Sequence, residues 1–485
     1  MIGFAAKAIT HPLWWAAWVL WWLLKLFWKL LGSAAAVIFQ RKPAMPHGSA
    51  EWATRKVLKK AGNMDPGGFR VAKLKGRPVY AHRENSVVMF GPPGSGKSLT
   101  VISNLKHAGG WDAIVYDPTR TVLAAARTEL AAKGYVIHVI DLDDPGKGLK
   151  YNPVSILRES TALTVERDAK ALASLVVPAE SDDRAQHFVD TARYMVAGLV
   201  VFAWYTNRPK ATLGYVSRAL LTDGPARVKL FARMKAFPND TVKAAVEAFE
   251  RAGDREKGSF DTTLSRKLSG WLDPGLRINM DVDPVAWAFE DMFSDSKPMA
   301  VFIQGGMGYT ELAGPLARLV LGNAVNSVRR RWGRTAKPLE KGLRVFVDEA
   351  REIGRCEAIV HGQAELRKAD VRIMLAYLAA SDMRDAFGRD ADMLTGTFDW
   401  IVTGGIKNAK FYQEVVELIG NLTTESFGKS KTPHGESQSS HMMGQRLITV
   451  DGLFRLGRDE VVCLLGALPV KANKSVAIKK GKPVF

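Results

Sequence analysis

Residues 87–100 read VVMFGPPGSGKSLT: four apolar residues, a turn rich in glycine and proline, then a lysine and a serine opening a helix-forming stretch. The short continuous apolar run suits a strand buried on both faces, the kind found in parallel sheets. The glycines let the following backbone curl so that its N–H groups point inward. The first N–H donors of the next helix lack intrahelical partners and face the same way. Strand, loop and helix together make a cradle for phosphate groups and place the chain in the α/β class. Within it, Gly91, Gly94, Ser95, Gly96, Lys97, Ser98 and Leu99 are the expected nucleotide-contacting residues. Lys97 has the reach and charge for the β- and γ-phosphates, and the Ser98 hydroxyl is a ligand for Mg²⁺. ATP and Mg²⁺ are the expected ligands.

A second segment complements the first. Leu343 to Val347 is an apolar run that ends in Asp348 and Glu349. An aspartate at a strand tip contacts Mg²⁺ directly or through water, and the glutamate after it polarises an attacking water. Hydrolysis on this plan needs no covalent nucleophile, only positioning and charge stabilisation. An arginine supplied by a neighbouring chain would add to that stabilisation. Arg367, Arg372, Arg384 and Arg389 follow the acidic strand, and spacing alone does not rank them.

Between the two halves the pattern changes. Strand and helix signals alternate through 113–116, 121–133 and 135–140, then give way to helical periodicity at 165–177, 188–205, 215–221 and 241–252. The α/β rhythm resumes at 299–304, 343–347, 371–377 and 400–403, with a last β-like run at 460–465. The organisation expected is a nucleotide-binding domain in two parts, 86–160 and 291–485, interrupted by an all-helical domain over 161–290. Residues 423–445 are polar and rich in serine, glycine and histidine, which suits a mobile loop. Lysines 471, 474, 479, 480 and 482 give the C-terminal end a basic tail.

The N-terminal end has its own character. Leu13 to Leu24 is wholly apolar and carries five tryptophans, and Lys25 and Lys29 interrupt the run before it continues to Leu31. About 20 apolar residues span a bilayer, lysines near an end snorkel, and tryptophans favour the headgroup zone. Residues 1–42 are therefore expected to be a membrane anchor, spanning or partly interfacial. Residues 43–85 form a basic lead-in, with 11 Lys and Arg from Arg41 to Arg83 against Glu51, Asp65 and Glu84. Such an excess keeps its side cytoplasmic. The net charge of +19 favours polyanionic partners, nucleic acid or an anionic membrane surface. Cys356 and Cys463 are the only cysteines, too few for a disulfide framework or a thiolate metal cluster.

With these residues in hand, the chain resembles the type IV secretion coupling proteins, the membrane-anchored DNA translocases of conjugation. Residues 47–54 (HGSAEWAT) resemble that family's lead-in, Gly91 to Ser98 its phosphate loop, and Ala113 to Pro118 its strand ending in Asp-Pro. Tyr151-Asn152-Pro153 resembles its aromatic-Asn-Pro motif, Val345 to Glu349 its acidic strand, and 447–470 its C-terminal end. Leu366 to Arg372 resembles its Arg-Lys segment and carries Arg367 onto the trans-acting arginine. The resemblance implies a RecA-like ATPase core with an inserted all-helical domain and an N-terminal membrane helix. It further implies a bacterial inner-membrane protein with a cytoplasmic main body that assembles as a hexameric ring. Such a ring links a relaxase–DNA complex, with accessory proteins, to the components of a secretion channel and pumps DNA with ATP. A related ring ATPase for protein secretion or pilus assembly, and a nucleotide-dependent docking scaffold, are the alternatives.

Two departures from the family pattern stand out. Family members usually carry a glutamine in the strand after the acidic one, whereas Leu375 to Ser381 here has no side-chain amide. The family also has two membrane helices around a periplasmic domain, and the N-terminal region here supports one.

Overall fold

The computed structural model describes residues 18–27, 45, 47–144, 146–180, 183–306, 310–361, 363–432, 435–479 and 482–484. The chain falls into two compact units, residues 51–419 with 447–485, and residues 1–50 with 420–446.

The larger unit is built on one 11-stranded sheet. Its strands are β1 (Arg70–Leu74), β2 (Arg77–Tyr80), β3 (Val87–Phe90), β4 (Asp112–Asp117), β5 (Val136–Asp141), β6 (Met299–Gln304), β7 (Leu343–Val347), β8 (Val371–Tyr377) and β9 (Asp399–Thr403). Two more, Glu460–Leu465 and Leu468–Lys474, complete it. Seven strands run parallel in the order β9-β3-β8-β7-β4-β6-β5. The phosphate-loop strand β3 thus lies between β9 and β8, and β8 separates it from the acidic strand β7. Beyond β9 the sheet turns antiparallel through the C-terminal hairpin and then β1 and β2.

Side chains alternate across this sheet, and both faces are covered. Val87, Met89, Ala113, Val115, Phe346 and Met374 point to one face, against helices α1 (Lys97–Lys106) and α2 (Thr121–Ala132). Val88, Phe90, Ile114, Tyr116, Val345, Val347 and Tyr377 point to the other. There they share one hydrophobic core with the helical segment, which runs through α3 (Val165–Val176), α4 (Asp183–Thr206) and further helices to Met280. Helices at Pro225–Lys235 and Asp254–Leu268 extend the helical reading of the sequence into stretches whose polar composition masked it.

The seam between helical segment and sheet is made by α5 (Thr310–Thr335), whose Leu316, Leu319, Val320, Ala324 and Val328 are all buried. Buried polar side chains along it hold the two sides together. Arg318 donates to the carbonyl of Leu175 at 3.1 Å and to that of Ile353 at 2.9 Å. Asn323 donates to the Tyr151 hydroxyl at 2.8 Å and to the Pro153 carbonyl at 2.9 Å. Arg330 pairs with Asp168 and Glu290. The aromatic-Asn-Pro motif belongs to this seam: Asn152 donates to the carbonyls of Ala211 and Val282 and caps the turn after it. Backbone carbonyls buried at this seam need donors, and these side chains supply them.

The smaller unit corrects one expectation. The stretch read as a mobile loop forms two long paired strands, Asn421–Thr432 with Gly435–Arg446, in unbroken antiparallel register from Asn421↔Arg446 to Thr432↔Gly435. The sequence of these strands has no regular apolar alternation, so the periodicity that betrays other strands is missing. At the other end of this unit, residues 18–27 are helical, and Trp18, Trp21, Trp22, Leu23 and Leu24 are exposed. Among the described residues no helix is long and apolar enough to cross a membrane. The remainder of the anchor expected over 1–42 lies outside the described residues.

Candidate nucleotide site

The C-terminal ends of β3, β7 and β8 bring the two sequence halves together. The loop leaves β3 at Gly91, where a Cβ would meet the side-chain oxygens of Ser95 and Thr403 at 2.4 Å each. Only glycine fits. Gly96 stands at φ +94° immediately before α1, a left-handed turn that aims the start of the helix at the loop's interior. The Gly91 N–H donates to the Tyr377 carbonyl at 3.1 Å, which pins the loop to the end of β8.

Across the loop, the Ser98 hydroxyl donates to Asp348 Oδ2 at 2.6 Å. The other oxygen, Asp348 Oδ1, is buried and has no hydrogen-bond partner among the described residues. A hydroxyl in contact with a carboxylate that has a spare buried oxygen is the donor set Mg²⁺ requires, so these residues fit the ion. Lys97 is buried, and its ammonium donates to the carbonyls of Gly91 at 2.9 Å and Pro92 at 3.3 Å. These carbonyls are stand-ins for phosphate oxygens.

Electrostatics around Lys97 follow from burial and crowding. Burial lowers the lysine's pKa, opposed by Glu349, Asp348 and Asp382 nearby. Burial likewise raises Glu349, and Asp348, Glu352 and Asp382 add to the rise while Lys97 works against it. Asp348 is raised by burial and by Asp117, against the Ser98 hydrogen bond. Several carboxylates thus share one buried cation, an arrangement that a divalent metal would relieve.

Arg367 does not join this group within its own chain. It precedes β8, at the opposite end of the parallel strands from the loop, and pairs with Glu84 at 3.1 Å. Seven residues of β8 separate the two ends, roughly 20 Å. The side chain is 63% exposed, so it faces outward. Of the other arginines, Arg372 is buried against the carbonyls of Arg83, Arg367 and Val371, with its pKa pushed down to about 10 by burial. Arg384 is held by both oxygens of Glu414, and Arg389 is exposed. Asp117 serves the fold: it caps α2 through the N–H groups of Val122 and Leu123 and accepts from Gln304 at 2.8 Å.

Several residues at the site carry no motif. The antiparallel hairpin returns its ends to the same edge of the sheet, so Arg458, Asp459, Lys474 and Val476 line a small pocket with Gly94, Ser95, Gly96, Leu99 and Thr100. The Lys474 ammonium bonds the Arg458 carbonyl, and burial lowers its pKa. In the sequence Lys474 belongs to the basic tail, and nothing there links it or Arg458, Asp459 and Val476 to the phosphate loop. Their spacing carries no signal, because the fold alone makes them neighbours of the loop.

A family model described as Type IV secretory system Conjugative DNA transfer matches residues 42–479. The chain belongs to this family. It is 22% identical over 408 residues to a probable conjugal transfer protein TraG of Sinorhizobium fredii (strain NBRC 101917 / NGR234), covering 79% of this chain and 60% of that protein. To a conjugal transfer protein TraG of Escherichia coli it is 20% identical over 380 residues, covering 71% of this chain and 59% of that one. The chain therefore spans about three fifths of the length of these curated relatives. Among solved structures, the bacterial conjugative coupling protein TrwBdeltaN70 in its unbound monoclinic form is similar at a TM-score of 0.66 and 16% identity, over 90% of this chain and 96% of that one. TrwB in complex with ADP and Mg²⁺ is similar at 0.65 and 15% identity, over 90% and 95%. The likeness establishes the fold: a mixed α/β architecture with a large parallel sheet, shared with these coupling-protein structures.

Proposed function

We propose that this protein is an ATP-driven motor of conjugation, coupling a relaxase–DNA complex to a type IV secretion channel at the bacterial inner membrane and moving the DNA. The single observation that carries the reading is the 2.6 Å contact between Ser98 and Asp348, which closes a metal and phosphate site from residues 250 positions apart. Lys97 holds the β- and γ-phosphates, the loop N–H groups cradle them, and Leu99 opens the helix beneath them. Ser98 and Asp348 would hold Mg²⁺, which would supply charge neutralisation of the phosphates. Glu349 orients water and accepts its proton; its raised pKa suits a base, provided the nucleotide and metal draw it to the carboxylate form. Arg458 and Lys474 supply positive charge on the nucleoside side. Arg367, exposed at the far end of the strands, completes the site of a neighbouring subunit in a homohexameric ring.

The excess of cationic residues supports a nucleic-acid partner, because a ring lined with Lys and Arg gathers the phosphate backbone without reading bases. The apolar tryptophan-rich N-terminal run supports the membrane attachment, and the Lys and Arg excess that follows it supports a cytoplasmic main body. The deciding measurement is ATP turnover without DNA, with single strands and with duplex. Several-fold stimulation by DNA is the expected result. Turnover indifferent to DNA would make it a protein-secretion or pilus ATPase, and no turnover under any condition would make it a docking scaffold.

A further inference from the structure

Leu375 to Ser381, at the end of β8, carries no side-chain amide, and a different polar pair stands at that edge of the sheet. β7 and β8 are paired in parallel, Val347 opposite Leu375. The segments that leave them therefore emerge side by side at the edge where the phosphate loop lies. From β7 the chain enters α6 (Ala350–Ile353), which carries Arg351 two residues beyond Glu349. From β8 it enters α7 (Ala380–Phe387), which carries Asp382 in its first turn. The Gly91 N–H bonded to the Tyr377 carbonyl holds the loop against the root of that second segment.

Asp382 is an unusual neighbour for a phosphate site. Its side chain is only 13% exposed, one oxygen accepts the Ala379 N–H at 3.2 Å, and the other faces Arg351 Nη1 at 3.8 Å. Its charge reaches Lys97 and Glu349. A buried carboxylate there opposes an incoming γ-phosphate unless something neutralises it. The Arg351 guanidinium is 68% exposed and sits beyond hydrogen-bond distance of Asp382, so it is attracted by the carboxylate without being bound to it. A planar five-donor group in that position can hold a carboxylate on one edge and a phosphate on the other.

We propose that Arg351 is a γ-phosphate-sensing arginine supplied in cis, parked against Asp382, and that this pair replaces the missing amide as the link between nucleotide and α7. The inference rests on the nucleotide-site reading above. When a triphosphate binds, the guanidinium turns toward its terminal phosphate and draws Asp382 and α7 with it. A diphosphate offers no such partner and leaves the pair as it stands.

The test is equilibrium binding by the full-length protein of a fluorescent, non-hydrolysable ATP analogue and a fluorescent ADP, each with Mg²⁺. Arg351→Ala is expected to weaken the triphosphate about 30-fold while changing the diphosphate less than about 3-fold. Arg351→Lys recovers part of the loss, and Asp382→Asn tightens the triphosphate alone. Equal losses for both nucleotides, or no loss for either, overturn the inference. Because Arg351 is mostly exposed, its truncation leaves the fold intact, which a thermal melt verifies. Lys97→Ala separates the two levels of the argument. If that variant binds both nucleotides like wild type, the nucleotide site itself is wrong. If it binds neither, a failed Arg351 result counts against the sensor only.

Discussion

At the scale of residues, two substitutions follow from the geometry of the phosphate loop and the acidic strand. Lys97→Ala removes the only buried cation facing the Ser98–Asp348 pair among the described residues. ATP turnover should fall at least about 100-fold with nucleotide affinity lost as well, as a coupled assay and a binding titration would show. Glu349→Gln keeps the shape and removes the proposed base, so binding should persist while turnover drops about 100-fold or more. Loss of both together in the second variant would assign Glu349 to binding. These residues are legible in the sequence because their chemistry depends on spacing along the chain: Gly91, Gly96, Lys97 and Ser98 must follow one strand closely, and Asp348 and Glu349 must end another. Arg351, Asp382, Arg458 and Lys474 carry no such signal, since neighbouring strands and a returning hairpin bring them in.

At the scale of elements, α5 joins the helical segment to α6, the short helix that follows β7. Arg318 reaches from it to the end carbonyls of α3 and α6, where a cation suits the negative ends of both helices. Gly314 lets α5 lie directly on α6, because a Cβ there would come within 2.0 Å of the Glu352 carbonyl oxygen. Gly322 does the same against Leu175 of α3. The periodicity at 165–177 announces α3, but nothing in the sequence marks Gly314 or Gly322 as points of close approach. Their purpose depends on what packs opposite. Gly314→Ala should cost roughly 1–3 kcal/mol of stability by overpacking and shift α6, which carries the residues just after Glu349. Turnover falling further than the melting temperature explains, with ADP binding retained, is the expected signature. An unchanged protein would show that α6 yields freely.

At the scale of the whole molecule, the question is which chain completes which site. Within one subunit, Arg367 and the phosphate loop occupy opposite ends of the parallel strands, and Arg367 is turned outward beside Glu84. No side-chain motion spans that distance, so an Arg367 that acts in hydrolysis must act on a neighbour. A mixing experiment separates the cases. Arg367→Ala subunits keep an intact loop, and Lys97→Ala subunits keep an intact arginine, so each is inactive alone if both residues are required. In randomly mixed rings at equal amounts, about a quarter of the interfaces pair an intact loop with an intact neighbouring arginine. Activity should therefore reappear on mixing, in proportion to those interfaces and only after subunits are allowed to exchange. If the arginine served its own chain, no interface would combine the two, and mixing would restore nothing. The same mixture examined with Arg351→Ala in place of Arg367→Ala should show no gain on mixing over the average of its two components, because a residue acting in cis cannot be lent.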